Sequence, residues 1–294
     1  MTKRALFDAE LLSAIEAFAL RVRHLRAGPS HGERRTREAG SGLEFRDFRA
    51  YTEGDDPARV DWNVWARSGR LFVRLADQLR TMPLRVHLDL SGSLGADGGA
   101  RSEAARVAAV VFAALGLAHH DPVHVSWTGA NGPSTRKLHG RNGLLELAAA
   151  LEDVEAAGET DLVALFQLSE AERRKPGVSF IISDFFDPAG LEPIAGVLNL
   201  STERCVLVRI FEPQDKSGGS FAGELHLVDC ESGLGLDADV DDSLRARYCE
   251  AFSRFEQEFD HLLLSPTRAG CALDATRPVL GQLEPLFPAG SLSL

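Results

Sequence analysis

Asp89, Ser91 and Ser93 place one carboxylate and two hydroxyls in a single short loop. Hard oxygens grouped in this way suit Mg²⁺ or Mn²⁺, ions that keep part of their hydration shell and accept further ligands from elsewhere. One loop cannot complete such a site, and two other stretches offer the missing oxygen. Thr160 lies in Gly158-Glu159-Thr160-Asp161, and Asp184 ends Ile182-Ser183-Asp184. Together the five residues supply two carboxylates and three hydroxyls. That set leaves a bound ion electrophilic, with a sixth position open to water or to a carboxylate from another molecule. Each stretch also has a plainer reading. The first could be an Asx turn before a helix, Thr160 an ordinary N-cap, and Asp184 a turn residue after a strand. Their joint occurrence, in this order, favours the metal.

The elements around these residues are those that would bring them together. Residues 84–90 alternate apolar side chains as a strand does, and residues 101–119 follow with an alanine-rich helical pattern. Strands are expected at 122–128, 178–183 and 205–211, with helices at 143–154, 161–174 and 191–198. This alternation predicts an α/β fold: a mainly parallel sheet with right-handed crossovers and helices on its faces. Such sheets bind ligands at the carboxyl ends of their strands, where Asp89 and Asp184 fall. Toward the C-terminus, 224–230 and 235–240 flank Glu231-Ser232-Gly233 as a hairpin, and a long helix follows over 242–264. A strand at 271–275 and a helix at 279–287 end the reading. Before the sheet come a helix at 6–25, a break at 27–30, a charged loop at 33–42, an extended stretch at 43–51 and a strand at 71–75. Asp56 caps, and Pro57 opens, a short helix over 58–67 that closes at Gly69. Two domains are expected: an N-terminal helix and extension over 1–80, and the α/β domain over 81–294.

The net charge of −11 excludes general nucleic-acid binding. The 21–37 segment is locally basic and reads as a helix end followed by a loop. Cys205, Cys230, Cys249 and Cys271 form no Cys-x-x-Cys pair, so they read as four buried thiols in a reducing compartment. Asp8 and Glu10 interrupt any leader pattern. The longest apolar run, 107–118, is too short to span a bilayer. The expectation is a cytoplasmic protein without a membrane span.

The order Asp89, Ser91, Ser93, Thr160, Asp184 resembles the metal-ion-dependent adhesion site (MIDAS) of von Willebrand factor type A domains. A longer block is more specific: Ser41-Gly42-Leu43-Glu44-Phe45-Arg46-Asp47-Phe48-Arg49-Ala50-Tyr51, then Gly54-Asp55-Asp56-Pro57-Ala58-Arg59-Val60-Asp61-Trp62-Asn63, then Ala66-Arg67. It resembles the hallmark of the bacterial domain-of-unknown-function fifty-eight family, and the likeness runs from about Arg34 through the last helix, including 227–233. The resemblance implies a type A sheet after the block. It also implies Mg²⁺ (or Mn²⁺) at the five residues, and association with a MoxR-type AAA+ ATPase in chaperone-like assembly. Glu159, where a second glycine is usual, and Leu94, where methionine is frequent, depart from the pattern without removing a ligand.

In that block Trp62 and Trp65 are expected to pack together against the sheet. Arg46, Arg49, Asp55, Asp56, Asp61 and Arg67 are expected to form an ion-pair cluster. Enzyme readings find less support. A haloacid-dehalogenase-type phosphohydrolase wants a second carboxylate two residues beyond its nucleophile, where Ser91 stands. No nucleophile elbow, phosphate-binding loop or dinucleotide fingerprint occurs. The expected function is non-enzymatic: a metal-dependent protein-interaction module whose partner, a MoxR-type ATPase or another protein, donates Glu or Asp to the ion. The alternatives are a metal-dependent phosphohydrolase on the same rim, or a type A scaffold with a vestigial site.

Overall fold

The computed structural model describes residues 5–26, 43–78, 82–96, 98–171, 176–217 and 222–287. The break expected at 27–30, the loop at 33–42 and most of the basic 21–37 segment fall outside them. In chain order the elements are α1 (Ala9–Arg26), β1 (Leu43–Ala50), α2 (Trp62–Ser68), β2 (Phe72–Gln78), β3 (Leu84–Leu88), α3 (Gly92–Gly95), α4 (Ala100–Ala118), β4 (Val123–Trp127), β5 (Ser134–Leu138) and α5 (Gly140–Asp153). Then follow α6 (Leu162–Gln167), β6 (Val178–Ser183), α7 (Glu192–Leu200), β7 (Arg204–Phe211), β8 (Gly223–Val228), β9 (Gly235–Val240), α8 (Asp242–Leu262), β10 (Arg268–Asp274) and α9 (Val279–Leu283).

The chain divides into two compact units, Ser30–Thr81 and the remainder, Met1–Pro29 with Met82–Leu294. This differs from the expected grouping of 1–80, because α1 belongs with the larger unit. Ile15, Phe18, Ala19 and Val22 of α1 are buried in the same cluster as α4. An apolar stripe of that width cannot stay in water at about 25 cal/mol per Å².

The larger unit is the expected α/β fold. Six strands run in the order β10-β7-β6-β3-β4-β5, and all pairings are parallel except β4 with β5. Side-chain alternation splits the core in two. Phe180, Ile182, Val206, Val208 and Ile210 face one cluster, shared with α1, α4, α5 and α9. Ile181, Cys205 and Leu207 face the other, shared with α6, α7 and α8. Helix α4 is buried nearly all round from Ala104 to Leu115, which explains its run of small apolar residues, and Phe112 stacks on Phe180 with centroids 4.1 Å apart. Within the interior, Arg85 of β3 pairs with Glu203, and the Ser179 hydroxyl donates to the second oxygen of Glu203 at 2.6 Å. Among the described residues, no helix is long and apolar enough to cross a membrane.

The antiparallel edge strand β5 escaped sequence reading because its side chains are mostly polar and only Leu138 is fully buried. Only Cys205 and Cys271 are buried; Cys230 is exposed and Cys249 half-buried, so the expectation of four buried thiols is corrected. The cause is position, one thiol at a hairpin tip and the other on α8, where it donates to the Lys216 carbonyl at 3.5 Å.

The smaller unit pairs β1 with β2 antiparallel, and Val60 bridges Val73. Asp56 accepts from Ala58 N–H, as a cap at Pro57 requires, but the helix is split. A single 3₁₀ turn, Pro57–Arg59, precedes α2, which Asp61 caps through Asn63 and Val64 N–H. Gly69, at φ 66°, ends α2 as expected. Arg49 pairs with Asp55 at 2.6 Å, and Asp56 and Asp61 each accept from backbone N–H groups as caps. Trp62 and Trp65 pack edge to face with centroids 6.0 Å apart, but they are 58% and 46% exposed. The expectation of buried indoles is therefore corrected: α2 has no buried residue, and the two rings pack on each other while staying exposed.

Candidate metal centre

Strand β3 lies between β4 and β6, so successive crossovers leave it in opposite directions, and the crevice at its carboxyl end is a topological switch point. Leu88 and Ile182 are register partners, and Asp89 N–H continues the ladder to the Ile182 carbonyl at 2.9 Å. The residues just beyond these strand ends are therefore neighbours. A third segment joins them. Gly92 N–H donates to the Gly158 carbonyl, and Ala157 N–H to that of Leu90, both at 2.9 Å. The loop before α6 is thus held against the loop after β3.

All five predicted residues are buried on this rim: Asp89, Ser91, Ser93, Thr160 and Asp184. Asp89 Oδ1 accepts from Ser91 N–H at 2.9 Å, and the Ser91 and Ser93 hydroxyls lie 3.0 Å apart. Thr160 is not an N-cap. Asp161 fills that role by accepting from Ala164 N–H, which leaves the Thr160 hydroxyl to the rim. Asp184 is aimed by an unusual turn. Phe185 adopts φ 66°, left-handed for a bulky residue, at a cost of about 1–3 kcal/mol. Burial of its ring against Phe259, centroids 5.0 Å apart, and the hydrogen bond its backbone N–H donates to Ser183 Oγ at 2.9 Å hold it there.

The electrostatics are those of a site short of positive charge. Burial, and then the neighbouring Asp184 carboxylate, push the Asp89 carboxyl up to about 7. Burial also raises Asp184, against the Phe186 amide and the Ser93 hydroxyl, which favour its ionised form. Arg101 acts on Asp184 only through space, because its guanidinium is committed to Asp215 at 2.5 Å and to Glu212 at 3.7 Å. Asp184 Oδ2 is buried with no hydrogen-bond partner. An orphaned carboxylate oxygen in the interior costs free energy unless something positive meets it.

Among the described residues, no three His, Cys, Asp or Glu side chains form a metal-binding group by themselves. The rim is rich in hydroxyls instead, and that donor chemistry fits a hard, partly hydrated ion such as Mg²⁺ rather than zinc.

Three participants were not legible in the sequence. Ser183 donates to Asp89 Oδ2 at 2.7 Å and Thr128, at the end of β4, to Oδ1 at 3.4 Å. Both orient the carboxylate, as outer residues around metal ligands do. The third is Glu231, at the tip of the β8–β9 hairpin. Its Oε1 accepts from the Thr160 hydroxyl at 2.7 Å and from Ser93 N–H at 3.4 Å, and its Oε2 accepts from Thr160 N–H at 2.9 Å. Strand ends carry a positional signal, so Ser183 and Thr128 could have been sought there; nothing in local spacing ties Glu231 to the rim.

Comparison with known proteins finds sequence relatives and more distant solved structures. An uncharacterized protein of Mycobacterium tuberculosis strain H37Rv, Rv1480, is 28% identical over 253 residues, spanning 83% of this chain and 78% of its own. Mb1516 of Mycobacterium bovis matches to the same extent. Among solved structures, an aerotolerance-related membrane protein from Bacteroides fragilis aligns over 66% of this chain and 92% of its own, at 11% identity and a TM-score of 0.37. The pilus adhesin SpaC from Lactobacillus rhamnosus GG, in its open conformation, aligns over 72% of this chain and 29% of its own, at 11% identity and a TM-score of 0.44. The family model described as protein of unknown function DUF58 matches residues 47–258, which take in the whole rim from Asp89 to Glu231, and the chain belongs to that family.

Proposed function

We propose that this protein is a metal-dependent protein-interaction module of the von Willebrand factor type A kind, in which Asp89, Ser91, Ser93, Thr160 and Asp184 hold Mg²⁺ or Mn²⁺. The observation that carries the reading is the convergence of these five buried side chains from three separate loops, with one oxygen of Asp184 left unpartnered in their midst. When bound, the ion supplies a local positive charge that attracts a Glu or Asp from another protein. The rim residues fix its position, and Ser183 and Thr128 fix Asp89. The sequence resemblance supports a MoxR-type AAA+ ATPase as the partner and chaperone-like assembly as the setting. Attraction to the ion is short-range, whereas the acidic chain as a whole repels an acidic partner at long range. Binding is therefore expected to need divalent metal.

The test is a pull-down from lysate with Mg²⁺ or with chelator, using wild type, Thr160→Ala and Asp184→Ala, alongside calorimetric titration of Mg²⁺ into wild type and Asp89→Ala. An AAA+ ATPase retained only by the metal-loaded wild type supports the reading. Equal Mg²⁺ affinity in wild type and Asp89→Ala sinks the site, and a partner retained equally in chelator places the interface elsewhere.

A further inference from the structure

The rim already holds a carboxylate that none of the strand-end loops supplies. We infer that Glu231 is a built-in occupant of the metal centre: the β8–β9 hairpin tip puts the chain's own carboxylate in the position that a partner's Glu or Asp would take, so that partner binding requires the tip to lift. The inference rests on the metal reading above and deepens it.

Four observations converge. Glu231 is bonded through both oxygens to Thr160 and approaches Ser93 N–H, so its carboxylate bridges two of the three loops that carry proposed ligands. It lies close enough to Asp184 to act on that carboxyl electrostatically, which brings a third acid to a rim whose nearby Arg101 is committed to Asp215 and Glu212. The unpartnered Asp184 oxygen leaves an acceptor among these acids open to a further donor or cation. Finally, the fit is close. A Cβ built on Gly92 would stand 2.4 Å from the Cys230 carbonyl oxygen and 3.3 Å from Glu231 Cα, so the tip is seated on the one residue of the Asp89 loop without a side chain.

The rest of the hairpin is suited to moving. Among the described residues its strands pair only with each other, and most of its side chains, including Val228, Leu234 and Leu236, are exposed. The tip is internally braced: Asp229 Oδ1 accepts from Glu231 and Ser232 N–H at 2.8 and 2.9 Å. It can therefore lift as a unit, releasing the Glu231 contacts without unfolding the turn. A small-residue seat beneath a self-supporting, largely exposed hairpin has the construction of a latch.

Mn²⁺ serves as the probe, because the waters it holds can be counted by proton relaxation and its affinity measured from the free-ion spin-resonance signal. Wild type, Glu231→Ala, Gly92→Ala and Asp89→Ala are compared, each with and without acetate as a free carboxylate. If Glu231 occupies the centre, wild type binds Mn²⁺ and ignores acetate. Glu231→Ala binds about tenfold more weakly, gains one exchangeable water, and loses that water to acetate. Gly92→Ala keeps Glu231 but unseats the tip, so it gains the same water and the same response to acetate. Unchanged affinity and water count in both Glu231→Ala and Gly92→Ala, with Mn²⁺ still lost in Asp89→Ala, would overturn the latch while leaving the metal reading intact. Failure of wild type to bind Mn²⁺ would overturn both.

Discussion

Replacing Asp89 by Asn keeps the shape of the side chain and removes its charge. It therefore separates the cost of an uncompensated buried acid from everything else at the rim. In metal-free protein the Asp89 carboxyl stands at about 7 against an ordinary 3.8. The folded state thus binds its proton more tightly than the unfolded chain. The penalty is absent below about pH 4, grows as pH rises, and is complete above about pH 7. At about 1.4 kcal/mol per unit of pH, the ceiling is about 4 kcal/mol at pH 8, of which the bound proton removes about 3 kcal/mol at pH 5. Asn escapes this penalty but disturbs one bond. Ser183 Oγ donates to Asp89 Oδ2 and already accepts from Phe185 N–H, so an amide nitrogen facing it leaves its proton without an acceptor, at about 1–3 kcal/mol. That loss is the same at every pH and cancels in the difference. Chelated Asp89→Asn is expected to gain on wild type by about 3 kcal/mol between pH 5 and pH 8, read from urea midpoints. Saturating Mg²⁺ should stabilise wild type by about 2.7 kcal/mol at a hundredfold excess over its dissociation constant, and the variant hardly at all. A substitution effect independent of pH would refute the buried-charge argument. Equal Mg²⁺ stabilisation of both proteins would refute the site.

Other consequences are checked more briefly. Glu203→Ala breaks the buried pair with Arg85 and removes the acceptor of Ser179, so it should cost about 3–5 kcal/mol in a denaturant melt. Trp62→Ala should leave stability within about 1 kcal/mol, because the indole is largely exposed; a larger loss would mean that it is a packing anchor after all. Purified protein with Mg²⁺ is expected not to turn over p-nitrophenyl phosphate, and a metal-dependent rate that vanishes in Asp89→Asn would establish the phosphohydrolase reading instead.

The parts of the site that could be read from sequence are those fixed by strand ends. The apolar runs of β3 and β6 identify two strands, and the residue after a parallel strand must emerge at the carboxyl edge, so the placing of Asp89 and Asp184 follows from topology. Thr160 follows no strand and is read from the loop that opens a helix, although its hydroxyl serves Glu231 rather than a helix end. What could not be read depends on contacts between distant segments. The hairpin around Glu231 has a recognisable turn, yet nothing local says that its tip folds back over Gly92. The stripe on α1 announces a partner without naming α4. Trp62 and Trp65 misled because aromatic residues at helical spacing usually mark a buried face, and here they mark an exposed one.

The strand order carries a consequence for synthesis. β7 is a nearly continuous apolar strand whose outer partner is β10, and the ribosome delivers residues 212–267 between them. At about 5–20 residues per second, β7 waits roughly 3–11 s with one row of backbone donors and acceptors unclaimed. An apolar strand with a bare edge is a template for another chain, and a polysome supplies identical chains at short range. The nascent protein should therefore be most prone to aggregation when β7 has emerged and β10 has not. Arrested chains ending just before residue 268 should sediment with one another, and chains extended past β10 should not.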